Sequence, residues 1–114
     1  TEYSFRAKLY LEVPATGDYK YSFNGPASPT LFNAYGLAFH VGTPGVHSWL
    51  RDVALGETNS ITTSSAGAGV LEISGILHNG ANAGTFAIQW AQNTSDATAL
   101  TLRAGSYIEY RAIA

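Results

Sequence analysis

The chain of 114 residues has the length of one domain, and we expect a single domain over residues 1–114 with room for a hydrophobic core. Hydrophobic residues make up 46% and charged residues 12%, which excludes a chain kept unfolded by its charge. The formal net charge of −2 argues against a protein that binds nucleic acid or an anionic membrane. The absence of Cys excludes disulfides and zinc–thiolate sites.

The first two predicted strands lie on either side of a turn. Residues 3–13 alternate between apolar and polar side chains, which predicts a half-buried strand. Pro14 has no N–H to donate to a ladder and ends that strand, and residues 15–18 have turn chemistry. A second alternation over 19–24 places Tyr19, Tyr21 and Phe23 on one face. We expect the two strands to form an antiparallel hairpin with a short loop.

A third strand is predicted over residues 31–41. One face carries large side chains and the other small ones, which are Ala34, Gly36 and Ala38, with His40 near the end. A face of small residues allows another sheet or another subunit to approach closely. The run 42–45, Gly-Thr-Pro-Gly, is a predicted turn.

The second half of the chain continues the same pattern. Further strands are predicted near 46–51, 59–63, 71–77, 84–92, 98–103 and 106–113. Residues 64–69 are a predicted loop, and Gly75 marks a bulge or a close approach. Because no segment has helical periodicity and turns recur about every 10 residues, we predict an all-β fold: an antiparallel β-sandwich of jelly-roll or related topology.

Residues suited to catalysis or metal binding are sparse and scattered. His40, His47 and His78 do not have metal-ligand spacing, and no GxSxG motif occurs. The eight carboxylates stand singly, whereas a glycosidase needs two across a cleft. We interpret the histidines as structural, and Asp18 and Asp96 as turn residues. We therefore expect no enzyme, no metal site and no cofactor.

Aromatic residues are the one abundant class, with seven Tyr, five Phe and two Trp. Most of them fit the inward faces of strands. Tyr10, Phe32 and Trp49 fall out of phase with the residues expected to face inward. Either they are exposed, as contacts for a neighbouring subunit or a sugar, or their strands present them to the other face of the sheet.

The C-terminal third has the most distinctive sequence. Residues 84–98 read GTFAIQWAQNTSDAT and residues 102–109 read LRAGSYIE. This pattern resembles one found in structural proteins of tailed bacteriophages. The N-terminal part is similar to the front of the same module, in YSFRAKLY at 3–10 and ATGDYKYSF at 15–23. The stretch 43–68 has no counterpart in it. The resemblance implies a trimeric jelly roll of the tumour-necrosis-factor-like kind on the virion surface.

Two functions from different classes follow as expectations. The first is a bacteriophage virion structural protein, a small capsid decoration or surface protein. It would pack as a homotrimer against itself and the major capsid protein and so stabilise the particle. The alternative is a receptor- or carbohydrate-binding module of a phage tail or a secreted protein. In that case Tyr10, Trp49 and the segments 42–47 and 64–69 would contact a host-surface glycan.

Overall fold

The alternation of apolar and polar side chains becomes β-strands in the computed structural model. The structure describes residues 1–14, 18–41, 43–62 and 66–113, and only the backbone of 43–47. Within these ranges no helix is long and apolar enough to cross a membrane. Nine strands form there: β1 (Glu2–Val13), β2 (Asp18–Asn24), β3 (Leu31–His40), β4 (Thr43–Asp52), β5 (Thr58–Thr62), β6 (Gly67–His78), β7 (Ala87–Ala91), β8 (Thr101–Leu102) and β9 (Tyr107–Ala112).

The strands form two antiparallel sheets. The larger sheet has the order β4-β3-β6-β1, and both β8 and β9 pair with the far side of β1. The smaller sheet has the order β5-β2-β7. β1 pairs with β6 along its whole length, from Glu2 opposite His78 to Val13 opposite Gly67. The predicted all-β antiparallel sandwich is confirmed, whereas the jelly-roll topology stays a prediction.

The predicted hairpin of the first two strands is wrong. β1 lies in the larger sheet and β2 lies in the smaller one, so the chain crosses the sandwich between Pro14 and Asp18. Residues 15–17 of the predicted turn at 15–18 fall outside the described residues, and residue 18 begins β2. Both strands carry a row of large apolar side chains on one face. These rows pack against each other across the sandwich, as Phe5 and Phe23 do with ring centroids 6.0 Å apart.

Four phenylalanine rings fill the centre of the core. The centroids of Phe5 and Phe86 are 4.8 Å apart, and those of Phe23 and Phe32 are 5.2 Å apart. Each fully buried side chain of this size stabilises the fold by about 1.5–3 kcal/mol. Because these rings come from both sheets and from the segment before β7, they hold the two layers together.

The small-residue face of β3 points into the core. Phe32, Ala34 and Ala38 are buried, whereas Leu31 and Tyr35 on the other face are 45% and 47% exposed. The close approach predicted for this face is made by the opposite sheet. A Cβ on Gly75 of β6 would likewise lie 2.5 Å from Cζ of Phe5, which confirms close packing there.

Several predicted boundaries change. The strand expected near 46–51 is present but starts at Thr43, so the turn prediction is wrong for 43–45, while Gly42 lies outside the described residues. The loop prediction is wrong for 67–69, which belong to β6, and residues 64 and 65 lie outside the described ranges. Residues 104 and 105, which separate the last two predicted strands, form a turn in which the φ of Gly105 is +95°.

Candidate functional site

The outward surface of the larger sheet carries two exposed aromatic side chains. Trp49 of β4 is 70% exposed, and Tyr35 of β3 is 47% exposed. Trp49 is paired with Leu37, and Tyr35 is paired with Arg51. Directly opposed residues of antiparallel strands share a face, so all four side chains lie on the outward surface.

A groove of about 560 Å³ runs beside these rings. We call it the outer groove and define it by its lining residues Arg6, Asn33, Tyr35, Trp49, Arg51 and Ser74. Strand pairing brings five residues into one row across the sheet: Arg51, Tyr35, Ser74, Arg6 and Glu109. The backbone of Gly75 also lines the groove.

The polar groups of the outer groove are held in place by one another. The Nε–H of Arg51 donates to Oδ1 of Asn33 at 3.3 Å. The Nε–H of Arg6 donates to Oε1 of Glu109 at 2.6 Å. The groove therefore offers two hydrogen-bonded guanidinium groups beside two exposed rings, a combination suited to binding a ligand or a partner.

Charged pairs continue along the same outward face. Nζ of Lys8 lies 3.1 Å from Oε1 of Glu72, and Nη1 of Arg103 lies 2.9 Å from Oε2 of Glu12. The hydrogen bond and the negative charge of Glu72 raise the pKa of Lys8. Exposed pairs of this kind contribute little to folding stability, but they fix the pattern of charge that a partner meets.

The structure places the three predicted contact residues in different positions. Trp49 lies on the outward face. Tyr10 lies on the same face, half-buried, and its N–H donates to Oγ of Ser106 at 2.9 Å. Two strands separate Trp49 from Tyr10, about 14 Å across the sheet, so the structure does not bring them into one site.

Phe32 is 4% exposed and lies in the core, so its prediction as a surface contact is wrong. Its ring stacks on that of Phe5 with centroids 6.1 Å apart. The reason is the phase of β3. The small residues of this strand face inward because the opposite sheet lies close, and Phe32 shares their face.

Sequence reasoning missed Asn33, Tyr35 and Arg51. Alternation places Tyr35 among the large residues of the strand predicted over 31–41, on the face expected to be inward. The signal that would have identified it is the row of small residues Ala34, Gly36 and Ala38. A face of small residues leaves room for the aromatic side chains of the opposite sheet. That face of β3 is therefore the buried one, and Tyr35 faces outward.

A buried carboxylate lies at the end of β4. Asp52 is 1% exposed, and both of its oxygens accept from Nδ2 of Asn59 at 2.8 Å. Burial raises the pKa of Asp52, while the hydrogen bond from Asn59 opposes that rise. Asp52 belongs to the larger sheet and Asn59 to the smaller one, so the pair links the two layers.

A second buried carboxylate anchors the polar loop after β7. Asp18 begins β2 and accepts from the N–H and the Oγ1–H of Thr94, at 3.1 and 2.6 Å. Asp18 is thus a buried anchor, and its interpretation as a turn residue is wrong. Asp96 does serve as a turn residue, because its Oδ1 accepts from the N–H of Thr98 at 2.8 Å.

Metal-ligating side chains stay apart within the described part of the chain. No group of three His, Cys, Asp or Glu residues there could hold a metal ion. His40 is buried at the end of β3, and His78 ends β6. The side chain of His47 lies outside the described residues.

Comparison with protein-family models, curated proteins and solved structures finds no match for this chain. The outer groove is therefore interpreted from its own geometry.

Proposed function

We propose that this protein is a structural component of the bacteriophage particle surface. It is a subunit without catalytic activity that packs against copies of itself and against the major capsid protein. The observation that carries the proposal is the exposed apolar surface of the larger sheet. Leu31, Tyr35 and Trp49 all lie there and are 45% to 70% exposed.

Large exposed apolar patches on soluble proteins mark interaction sites. Trp, Tyr and Arg are also the residues that contribute most to the binding energy of protein interfaces, and Trp49, Tyr35 and Arg51 combine all three types. An interface over this face would remove the two rings from water and keep the Arg51 guanidinium at its rim. Decoration of a particle through such a face stabilises it by mass action, because each bound copy favours the assembled shell.

The residues that resemble phage structural proteins have structural roles in this fold. Phe86 packs in the core, and the loop after β7 is held by Asp18 through Thr94. Oγ of Ser106, just before β9, accepts from the N–H of Tyr10 in β1. These contacts support a scaffold role for residues 84–109. The same resemblance supports three copies in the oligomer.

The test is retention of the chain on particles of the phage that encodes it. Purified particles are washed at high salt, sedimented and analysed for the chain by mass spectrometry. We expect stoichiometric retention, loss of the chain when Trp49→Ser and Tyr35→Ser are combined, and retention of the control Val53→Ser. Val53 is 60% exposed but lies outside the strands. Complete absence from washed particles would contradict the proposal.

The outer groove also favours a second candidate, a glycan-binding module. Exposed Trp and Tyr rings present apolar faces, and Arg51 and Asn33 supply hydrogen-bonding groups beside them. Host-surface sugars have matching apolar and hydroxyl faces. Titration calorimetry against host glycans tests it: saturable binding that is abolished by Trp49→Ala and kept by Val53→Ala would support this candidate over particle decoration.

A further inference from the structure

β9 forms an open edge of the larger sheet. It pairs with β1 along one side, and no other described strand pairs with it. All six of its residues are exposed. Unpaired edges are templates for pairing with another strand. β4, at the opposite edge of this sheet, contains Pro44, which has no N–H to offer. β9 contains no proline.

The direction of the β9 backbone groups follows from the register. The N–H of Ile113 donates to the carbonyl oxygen of Glu2 at 2.8 Å, and Ala112 lies opposite Tyr3. Hydrogen-bonded and non-bonded pairs alternate along an antiparallel ladder. The backbone groups of Tyr107, Glu109 and Arg111 therefore point toward β1. Those of Ile108, Tyr110 and Ala112 point to the open edge.

The other side of β1 agrees with this assignment. The N–H of Asn79 donates to the carbonyl oxygen of Thr1 at 3.1 Å. By the same alternation, the odd-numbered residues of β1 bond to β6 and the even-numbered ones bond to β9. Ser4, Arg6 and Lys8 are the even-numbered residues opposite Arg111, Glu109 and Tyr107.

We propose that two copies of this chain pair through β9, antiparallel, about a two-fold axis at Tyr110. In this register Tyr110 meets Tyr110 of the second copy, and Ile108 meets Ala112. These are the residues whose backbone groups point outward, so their hydrogen bonds can form. The two larger sheets then become one continuous sheet with a shared outward face.

Charge favours this register over the two neighbouring ones and favours a second copy as the occupant. Glu109 and Arg111 lie on the outward face of β9, and the axis at Tyr110 sets each Glu109 opposite Arg111 of the other copy. An axis at Glu109 or at Arg111 would instead set like charges opposite each other, which destabilises a strand pair. Among the described residues Arg111 has no ion-pair partner, whereas Glu109 already contacts Arg6.

The same contact covers apolar surface on the inward side. Ile108 and Tyr110 lie opposite Ala7 and Phe5, so they face the side of the smaller sheet. That sheet ends at β7 and leaves Ile108 and Tyr110 48% and 74% exposed, beside a groove of about 390 Å³. A second β9 strand would place its own Ile108 and Tyr110 next to them.

This inference deepens the proposed function, because it names the surface through which two copies of the chain pack. It rests on the proposed function only for the premise that the chain self-associates. The contact is isologous and closes as a dimer. The trimer implied by the resemblance would need a different, cyclic contact. Light scattering distinguishes the two: a mass of twice 12.1 kDa supports the β9 contact, whereas a mass of three times 12.1 kDa supports the trimer and overturns the β9 contact.

The test uses charge reversal at Glu109 and Arg111. Arg111→Glu leaves the Arg6–Glu109 pair in place and creates two Glu–Glu oppositions in the dimer. Glu109→Lys creates two Lys–Arg oppositions. Each variant alone is expected to raise the dissociation constant of the dimer about tenfold or more. An equimolar mixture of the two variants restores opposite charges at both pairs, so the mixture should form a dimer as tight as the wild type.

Thermal unfolding followed by circular dichroism confirms that both variants are folded before the masses are compared. Recovery of dimers in the mixture supports the β9 contact and its register. A wild-type monomer up to millimolar concentration overturns it, as do variants that self-associate like the wild type. Particle retention is measured separately, so failure of the β9 contact does not decide the proposed function.

Discussion

The side chain of Tyr21 packs directly against Gly36 across the sandwich. A Cβ on Gly36 would lie 2.5 Å from the hydroxyl oxygen of Tyr21, closer than atoms can approach without a shift. Tyr21 is 2% exposed and belongs to the smaller sheet, whereas Gly36 belongs to β3 of the larger sheet. This contact sets the local spacing of the layers, and it explains why β3 turns Tyr35 and Leu37 toward the outward face.

The first prediction concerns that contact. Gly36→Ala should lower the free energy of unfolding by about 1–3 kcal/mol, because an added methyl group overpacks a close-fitted site. Tyr21→Phe in the same chain should recover part of the loss, since it removes the clashing oxygen. Gly69→Ala is the control, because a Cβ there would meet neighbours at an ordinary 3.4 Å. Urea unfolding measures all four proteins, and equal effects of the two alanines would contradict the account.

A second prediction separates Phe32 from Trp49, which the sequence alone places in one group of possible surface contacts. Phe32→Ala should destabilise the fold by about 3–5 kcal/mol, because it empties a site between Phe5 and Phe23. Trp49→Ala should change stability by less than about 1 kcal/mol, since that ring is 70% exposed. Denaturant titration of both variants gives the comparison, and a larger loss for Trp49→Ala would show that the assigned faces are wrong.

The third prediction concerns pH. The pKa of Asp52 is raised in the folded state, mainly by burial. The folded state therefore binds a proton more readily than the unfolded state, so this group favours folding at low pH and loses that contribution as pH rises through the window above its ordinary value of 3.8. Asp52→Asn removes the titration. The free energy of unfolding of Asp52→Asn minus that of the wild type should therefore increase from pH 4 to pH 7.

Paired denaturation curves at several pH values test this sign. A wild-type-to-variant difference that stays constant with pH, or that changes in the opposite sense, would contradict the assignment. Glu57→Gln serves as the control, because Glu57 raises the pKa of Asp52 only through its charge. Glu57→Gln should reduce the change of the free energy of unfolding with pH that comes from Asp52, without abolishing it.

The fourth prediction concerns the loop after β7. Thr94→Val removes the short hydrogen bond to Oδ2 of Asp18 and should cost about 1–3 kcal/mol, because the acceptor is a buried carboxylate. Thr98→Val is the matched control, since Thr98 contributes its backbone N–H and carbonyl to the loop. Hydrogen exchange at the backbone N–H of residue 94 should rise in the first variant only. Unchanged exchange there would contradict the role of Asp18 as an anchor.

Much of the fold was predictable because alternation is a local property. The strand at 3–13, the close approach at Gly75 and the break before Tyr107 all follow from the order of residues along the chain. The pairing of strands was not predictable in this way. The turn chemistry after Pro14 is equally compatible with a hairpin and with a crossing between sheets, and only the packing of Phe5 on Phe23 decides between them.

The candidate site was predictable only in part, for the same reason. Alternation identifies which residues share a face but not which face is buried. For β3 that choice depends on Tyr21, a residue of the opposite sheet, whose ring leaves room only for Gly36 and its small neighbours. Trp49 was identified because it broke the expected phase. Arg51 and Asn33 became part of the site only through the pairing of β3 with β4.

The most direct test of the account is hydroxyl-radical footprinting of Trp49 and Tyr35, in the free protein and on washed phage particles. Both rings are exposed in the free chain, so both should be oxidised rapidly there. Under the proposed function the outward face of the larger sheet packs against the shell, so we expect strong protection of both rings on the particle. Equal oxidation of both rings in the free and particle-bound states would contradict the central claim.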